Sequence, residues 1–259
     1  MVKNLTIVKI GGNVINNQLQ LKSFLEDFSC LKGLKILVHG GGKRATEMAN
    51  SLGLSPKMIG GRRITDQANL EIVTMVYAGL INKNIVARLQ GLNCNALGLT
   101  GADANVIRAH KRIIEEIDYG FAGDIDEVND SMITTFLEAG LSPVFSAITH
   151  DKHGQLLNTN ADTIAAELAQ ALSKKFKVEL IYCFEKSGVL RNIDNEDSII
   201  EEIDKSAYAK LKEDGIIADG MLPKLKNCYE ALDKGVDIVR IGSPQLISNK
   251  KIKHTTLKL

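Results

Sequence analysis

The sequence carries almost no net charge, because lysine and arginine together number 32 and aspartate and glutamate 31. Such a balance leaves no overall basic field, which excludes the electrostatic attraction typical of proteins that bind nucleic acids or membrane surfaces. Any anion that the chain binds must therefore be held by a local arrangement of donors and cations.

Cysteine is scarce and scattered. The four cysteines are Cys30, Cys94, Cys183 and Cys228. None forms a Cys-x-x-Cys pair, and three lie in apolar runs, which is typical of small buried hydrophobic residues. His150 and His153 lie in the turn-like stretch HDKHGQ without further ligands close by. We therefore predict no metal held by protein side chains.

Long apolar runs and an N-terminal signal segment are also missing. The chain enters an apolar strand within a few residues of Met1, without the apolar core of a signal peptide. No apolar run is long enough to cross a bilayer. We expect a soluble cytoplasmic protein with no membrane partner.

Short β-branched runs alternate with helical patterns along most of the chain. The predicted strands cover residues 5–10, 34–39, 95–100, 142–148, 178–184 and 236–241. The predicted helices, with apolar residues three and four apart, cover 21–31, 44–52, 66–90, 131–139, 161–172 and 221–234. Residues 104–127 are irregular and typical of hairpins. This alternation predicts an α/β fold in one compact unit, with a parallel sheet covered by helices on both faces.

A glycine-rich loop, HGGGKRA, follows the second predicted strand. A Walker A loop is excluded because Leu37 occupies its first glycine position and Arg44 replaces its final hydroxyl residue. The dinucleotide fingerprint fits residues 40–45, but the acidic residue expected about twenty positions later is missing. We favour an anion cradle, in which glycine amides and a helix N-terminus hold phosphate or carboxylate.

Further polar side chains lie where strands end or helices begin. Lys9 ends the first strand in KIGGN, where packing does not explain a lysine. In NTNAD, Asn160 is a predicted helix N-cap and Asp162 lies in the first helical turn. Lys224, in DGMLPK, lies in a first turn, where the helix dipole disfavours a cation unless an anion is near. Because ligands gather outside the carboxyl ends of parallel strands, we expect these groups to share one crevice.

In their order and spacing, KIGGN, HGGG, GRRIT, NTNAD and DGMLPK resemble the motifs of the amino acid kinase family. The resemblance runs from residue 7 to about residue 243. It implies a three-layer α/β/α sandwich with a largely parallel central sheet. Within this single domain, residues 1–172 would bind an N-acyl-L-glutamate and residues 173–259 would bind ATP. The implied reaction phosphorylates the γ-carboxylate of the acyl-glutamate.

The resemblance also implies individual roles. Lys9 and Lys224 would flank the transferring phosphoryl group, and Asp162 would orient both lysines. The implied substrate-binding residues are Gly41, Gly42, Arg63, Asn158 and Asn160. The implied nucleotide-binding residues are Gly11, Gly12, Glu185, Lys186, Ser187, Gly188, Val189, Leu190, Ile216, Ile217 and Ala218. Glu185 and Lys186 depart from the family pattern, which has an aspartate followed by a small or apolar residue.

The implied chemistry agrees with these residue types. A γ-carboxylate, with a pKa of about 4.3, is ionised at neutral pH and needs no general base. The reaction needs instead the neutralisation of two repelling anions and their in-line positioning. Lysines, glycine amides and helix N-termini supply both, and Arg63 suits the substrate α-carboxylate. Magnesium would accompany ATP, held by the phosphates and water.

Two other functions stay open from the residues alone: a nicotinamide-dependent oxidoreductase built on residues 40–45, and a non-catalytic regulator that kept the fold. The acyl group is open too. We place N-acetylglutamate first, whereas Arg62, beside Arg63, could instead meet the second carboxylate of N-succinylglutamate.

Assembly follows from the long helical pattern at residues 66–90. Apolar positions such as Leu70, Val73, Val76, Leu80 and Ile81 form a face wide enough for a partner, and ordinary burial in the core is the alternative. Arginine-inhibited relatives carry an added N-terminal helix, whereas this chain reaches its first strand by about Leu5. We expect a homodimer that arginine does not inhibit.

Overall fold

The computed structural model describes residues 2–217 and 221–259. The strands are β1 (Asn4–Ile10), β2 (Leu34–His39), β3 (Met58–Ile59), β4 (Arg62–Arg63), β5 (Ala96–Leu99), β6 (Ile107–Lys111), β7 (Ala122–Val128), β8 (Ser142–Ser146), β9 (Ile148–His150), β10 (Leu156–Thr159), β11 (Lys177–Cys183), β12 (Glu202–Ile203), β13 (Ile238–Gly242) and β14 (Thr255–Leu257). The helices are α1 (Gly12–Asn16), α2 (Gln18–Cys30), α3 (Gly42–Ser51), α4 (Gln67–Val73), α5 (Asn82–Gly91), α6 (Asp130–Glu138), α7 (Ala161–Ser173), α8 (Lys205–Glu213) and α9 (Leu222–Asp233). A π-helical stretch, Thr74–Ile81, joins α4 to α5, and short 3-10 turns lie at Asp103–Asn105 and Pro244–Ile247.

The centre of the fold is an eight-stranded sheet in the order β12-β14-β13-β11-β1-β2-β8-β5. The six strands from β13 to β5 run parallel, and β14 is antiparallel to β13. Ile7 and Val8 point to opposite faces of β1, and both are fully buried. Both faces of the sheet are therefore covered, which confirms the predicted three-layer α/β fold.

The six predicted helices and six predicted strands are all present, within a few residues of their expected ends. One prediction needs correction: residues 142–148 are not one strand. The chain leaves the main sheet at Ala147, and β9 pairs with β10 in a separate four-stranded sheet, β10-β7-β6-β9, closed on itself. Antiparallel pairing of β6 with β7 confirms the hairpin expected in 104–127. We did not predict α1 and α8; the apolar face of α8 is short, since Leu211 is its one fully buried residue and Ala207 and Tyr208 are only partly buried.

The longest helical unit, Gln67–Gly91, combines α4, the π-helical stretch and α5. By length and hydropathy it is one candidate membrane span, which the sequence alone did not suggest. Helices buried in protein cores meet the same two criteria, and 44% of its apolar window is buried inside this fold. Its inward side reaches the glycine loop after β2.

Three of the four cysteines are buried, as expected, and Cys30 is exposed.

Candidate active site

Lys9 and Asp162 meet at the carboxyl end of the central strands. Lys9 is the penultimate residue of β1, and its Nζ lies 2.7 Å from Oδ1 of Asp162, in the first turn of α7. Both residues are buried. Asn160 caps α7, because its Oδ1 accepts hydrogen bonds from the backbone N–H groups of Asp162 (2.7 Å) and Thr163 (3.3 Å). The predicted N-cap is confirmed, and it aims the start of α7 at Lys9.

Lys224 joins this pair across the aromatic ring of Phe184. Its Nζ lies 4.3 Å from the ring centroid, and Nζ of Lys9 lies 5.4 Å from the same centroid. Burial lowers the pKa of Lys224, the carboxylate of Asp162 raises it, and the charge of Lys9 lowers it. Lys9 is thus paired with Asp162, and the second ammonium group, that of Lys224, lies within the electrostatic influence of both in a partly buried crevice. A further anion would balance the cluster, as the early-turn position of Lys224 suggested.

The glycine loop forms one wall of a cavity of about 230 Å³ beside this cluster. A Cβ atom at Gly41 would lie 2.5 Å from Cδ1 of Ile81 and 2.8 Å from Cδ1 of Tyr77. Gly42 has no such contact, and its added Cβ would meet the Tyr77 hydroxyl at 3.7 Å. Close packing therefore requires glycine at 41, while both glycines line the cavity, as do Gly11 and Gly12.

Arg63 is a buried cation in the same cavity wall, only 5% exposed. Its Nη2 donates to Oγ1 of Thr46 (2.6 Å) and to the carbonyl oxygen of Gly42 (3.1 Å), and its Nη1 to Oδ1 of Asn69 (3.4 Å). These partners are neutral, and none of the ion pairs between described residues includes Arg63. A buried guanidinium without a counter-charge is costly, so the cavity is suited to a ligand carboxylate.

Asn158 lies opposite, on β10, where its Nδ2 donates to Oγ1 of Thr65 (3.0 Å). The side-chain oxygen of Asn158 accepts no hydrogen bond from a described residue, so it is available to a ligand donor. All five predicted substrate-binding residues line this one cavity.

A second, larger cavity of about 960 Å³ adjoins the lysine cluster through Lys224. Its lining includes seven of the predicted nucleotide-binding residues: Glu185, Lys186, Gly188, Val189, Leu190, Ile216 and Ile217. Ser187 lies between these residues in sequence but is not among those that line the cavity. Ala218 lies outside the described residues. Gly11 and Gly12 line the smaller cavity instead, beside Lys9.

The departure at Glu185 and Lys186 has a visible local consequence. Lys186 Nζ pairs with Oε1 of Glu196 at 2.6 Å. This contact holds the lysine along the rim of the larger cavity.

No group of three or more histidine, cysteine, aspartate or glutamate side chains in residues 2–217 and 221–259 is arranged to hold a metal ion. The role of magnesium on the phosphates stays a prediction.

Two aromatic residues at the site escaped the sequence analysis. Tyr77 lines the smaller cavity beneath the glycine loop, and Phe184 lies under both lysines. The apolar helical pattern around Tyr77 is typical of core residues and gives no functional signal. Phe184 directly follows β11, and its position at a strand's carboxyl end was the available signal.

Comparison with known proteins agrees with the geometry. The model of the amino acid kinase family matches residues 4–243. An acetylglutamate kinase of Cytophaga hutchinsonii is 53% identical over 261 residues, covering 99% of each chain. An acetylglutamate kinase of Parabacteroides distasonis is 52% identical over 250 residues, covering 96% of this chain and 98% of its own.

A solved structure with this fold is the N-acetylglutamate synthase of Neisseria gonorrhoeae complexed with coenzyme A and N-acetyl-glutamate. Its TM-score is 0.84 at 21% identity, over 99% of this chain and 59% of that one. At this identity the likeness concerns the fold alone. The family match spans nearly the whole chain, and the two relatives are about half identical to it, so the chain belongs to the amino acid kinase family.

Proposed function

We propose that the chain transfers the γ-phosphoryl group of ATP to the γ-carboxylate of N-acetyl-L-glutamate, an early step of arginine biosynthesis in the cytoplasm. The observation that carries this proposal is the Lys9–Asp162–Lys224 cluster between two cavities of different size. The smaller cavity has the buried Arg63, which forms no ion pair with a described residue, for a substrate carboxylate. The names of the two relatives point to the same reaction.

The geometry suits direct transfer between two anions. An oxygen of the γ-carboxylate forms a bond to the γ-phosphorus, the bond from that phosphorus to the β,γ-bridging oxygen breaks, and ADP leaves with the electron pair. No proton needs to move, because the acceptor is already ionised. Lys9 and Lys224 offset the repulsion between the reactants, and Asp162 holds Lys9 toward the crevice. Magnesium bound to the phosphates would withdraw further charge from them.

A coupled ADP-release assay tests this function. ATP is supplied with N-acetylglutamate, with N-succinylglutamate, or with no acceptor. Acceptor-dependent release of ADP supports the kinase. Release of no ADP with either acyl-glutamate would contradict the kinase function and leave the non-catalytic regulator. In a separate measurement with NAD(P), its reduction dependent on an acyl-glutamate would favour the oxidoreductase.

A second candidate, the same reaction on N-succinyl-L-glutamate, is favoured by charges at the edge of the smaller cavity. Arg62 lines that cavity beside Arg63. Burial lowers the pKa of Arg62, as does the charge of Arg112, while Asp124 opposes this effect. Nη1 of Arg112 already binds Oδ1 of Asp124 at 2.7 Å. Arg62 itself forms no ion pair with a described residue, and Arg112 is already paired, an arrangement suited to a second substrate carboxylate.

We expect N-acetylglutamate to remain the better substrate, and Arg62→Leu to lower kcat/KM for N-succinylglutamate about tenfold or more. The lost charge-assisted hydrogen bond is worth about 1.5–3 kcal/mol. The value for N-acetylglutamate should change less than about threefold, because an acetyl group offers no charge to Arg62. Arg44→Leu is the control, because Arg44 lies on the exposed face of α3. If the wild type prefers N-succinylglutamate and Arg62→Leu abolishes that preference, the order of the two substrates is reversed and Arg62 is the reason.

Assembly as a homodimer is also part of the proposal, with a corrected interface. Among the positions expected to face a partner, Leu70, Val73, Val76 and Ile81 are instead buried in the core of the same chain. The long helix exposes Leu80 (42%) and, in addition, Met75 (57%). An exposed apolar pair on one helix is suited to a second copy of the chain.

Light scattering should give about twice the chain mass of 28.2 kDa, and Met75→Glu with Leu80→Glu should give the single-chain mass. Charges on this face would be buried without partners in the dimer, which explains the expected dissociation. Ile113→Glu, at an exposed position on a loop away from this helix, serves as the control. A hexamer in light scattering, or loss of ADP release in millimolar arginine, would contradict the expected assembly and control.

A further inference from the structure

A buried polar network lies beneath the glycine loop and outside the roles assigned above. His39, the last residue of β2, is 0% exposed, and Asn82, the first residue of α5, is 1% exposed. Nδ1 of His39 lies 2.9 Å from the carbonyl oxygen of Gly40, and its Nε2 lies 3.0 Å from Nδ2 of Asn82. One imidazole thus connects the loop to the long helix.

The contacts of Asn82 determine which nitrogen of His39 carries the proton. Nδ2 of Asn82 also donates to the carbonyl oxygen of Val144 (2.9 Å), and its Oδ1 accepts from Nζ of Lys83 (3.3 Å). The contacts of its nitrogen and of its oxygen therefore both fix the orientation of the Asn82 side-chain amide. Because an amide NH₂ group only donates, Nε2 of His39 must accept, and the proton resides on Nδ1. Burial lowers the pKa of His39 to about 4, so the ring is neutral at neutral pH.

The neutral ring controls the direction of the next peptide group. Nδ1–H of His39 donates to the Gly40 carbonyl and holds it toward the protein interior. In a planar trans peptide the Gly41 N–H points opposite to that carbonyl. Gly41 lines the smaller cavity, and its N–H makes no hydrogen bond to any residue in the described part of the chain. This N–H is thereby left available to an anionic oxygen in the cavity.

We infer that His39 is a positioning residue: its Nδ1–H tautomer, selected by Asn82, turns the Gly40–Gly41 peptide so that the Gly41 N–H points at the acyl-glutamate carboxylate. The inference rests on the proposed kinase function. Tyr77 and Ile81 pack against Gly41 from the π-helical stretch just before Asn82. The long helix therefore holds the glycine loop in two ways: Tyr77 and Ile81 pack against Gly41, and Asn82 is connected to Gly40 through the hydrogen bonds of His39. Only the hydrogen-bonded connection depends on His39.

The kinetic test compares His39→Leu, which has no donor, with His39→Asn, whose amide can place a donor near the Nδ1 position. We expect His39→Leu to raise KM for N-acetylglutamate about tenfold or more, from a lost hydrogen bond to a charged ligand group. KM for ATP should change less than about twofold, and His39→Asn should recover most of the loss. Lys22→Ala is the control, since Lys22 is an exposed lysine on α2, paired with Glu26 and outside this network.

A folded His39→Leu enzyme with an unchanged KM for N-acetylglutamate, or a His39→Asn enzyme as impaired as His39→Leu, would overturn the inference. Circular dichroism and thermal melting establish which variants are folded. The assay begins with the wild type, so absence of acceptor-dependent ADP release there counts against the proposed function rather than against the role of His39.

A measurement on the unaltered protein decides the case if substitution prevents folding. With ¹⁵N-labelled histidine, His39, one of the five histidines, should appear as the neutral Nδ1–H tautomer and stay neutral at about pH 5.5, below the usual histidine pKa of about 6.5. Sequential backbone assignment identifies the His39 signal without a substitution. A His39 signal of the Nε2–H tautomer, or one that is protonated by that pH, would overturn the inference without reference to activity.

Discussion

Alanine in place of Lys9 or of Lys224 is expected to lower kcat by about a hundredfold or more. Each ammonium group lies over the Phe184 ring, beside Asp162, at the junction of the two cavities. The transferring phosphoryl group would pass between them. Their attraction for the transition-state charge is strengthened by partial burial, because the local dielectric constant is below that of water.

Steady-state ADP release at saturating ATP and N-acetylglutamate measures this effect, with circular dichroism as the check on folding. Lys22→Ala is the matched control, because Lys22 is an exposed lysine on α2 paired with Glu26. In Lys9→Ala the carboxylate of Asp162 keeps Lys224 as its neighbouring cation, so the fold should persist. A Lys224→Ala enzyme with near-normal kcat would remove Lys224 from the mechanism.

Loss of the Arg63 guanidinium is the second large effect that we expect. Arg63→Leu should lower kcat/KM for the acyl-glutamate about a hundredfold, with KM for ATP nearly unchanged. A buried charge-assisted pair with a substrate carboxylate is worth about 2–4 kcal/mol when one partner is removed. Arg63→Lys should recover only part of the loss, since an ammonium cannot bind Thr46, Gly42 and a carboxylate in the same planar geometry.

Calorimetric titration with N-acetylglutamate separates binding from chemistry in this variant. Arg44→Leu again provides the control, because Arg44 pairs with Glu47 on the exposed side of α3. Wild-type affinity in a folded Arg63→Leu protein would show that another group holds the substrate carboxylate. Thermal melting is needed alongside, because the substitution also removes hydrogen bonds to Thr46 and Gly42.

Many features of the site could be predicted because they depend on neighbours in sequence. Asn160 is an N-cap because its side chain reaches amides two and three residues ahead. The parallel strands were predictable from β-branched runs bounded by turns, and the glycine loop from its position after β2. The positions of Lys9, Asp162 and Lys224 at a strand end and at helix starts predicted a shared crevice, and the family motifs then implied their roles.

By itself, the sequence determined the order of strands and helices, the helix cap and the residue types at the strand ends, because local periodicity and hydrogen-bonding capacity decide these. Only the tertiary structure decided that β9 leaves the main sheet, that four of the five expected interface residues are core residues, and that Arg63 has no counter-charge among the described residues. The same is true of the neutral state of His39. Burial and charge balance depend on groups that are far apart in the chain, such as His39 and Asn82, and that come into contact only in the folded protein.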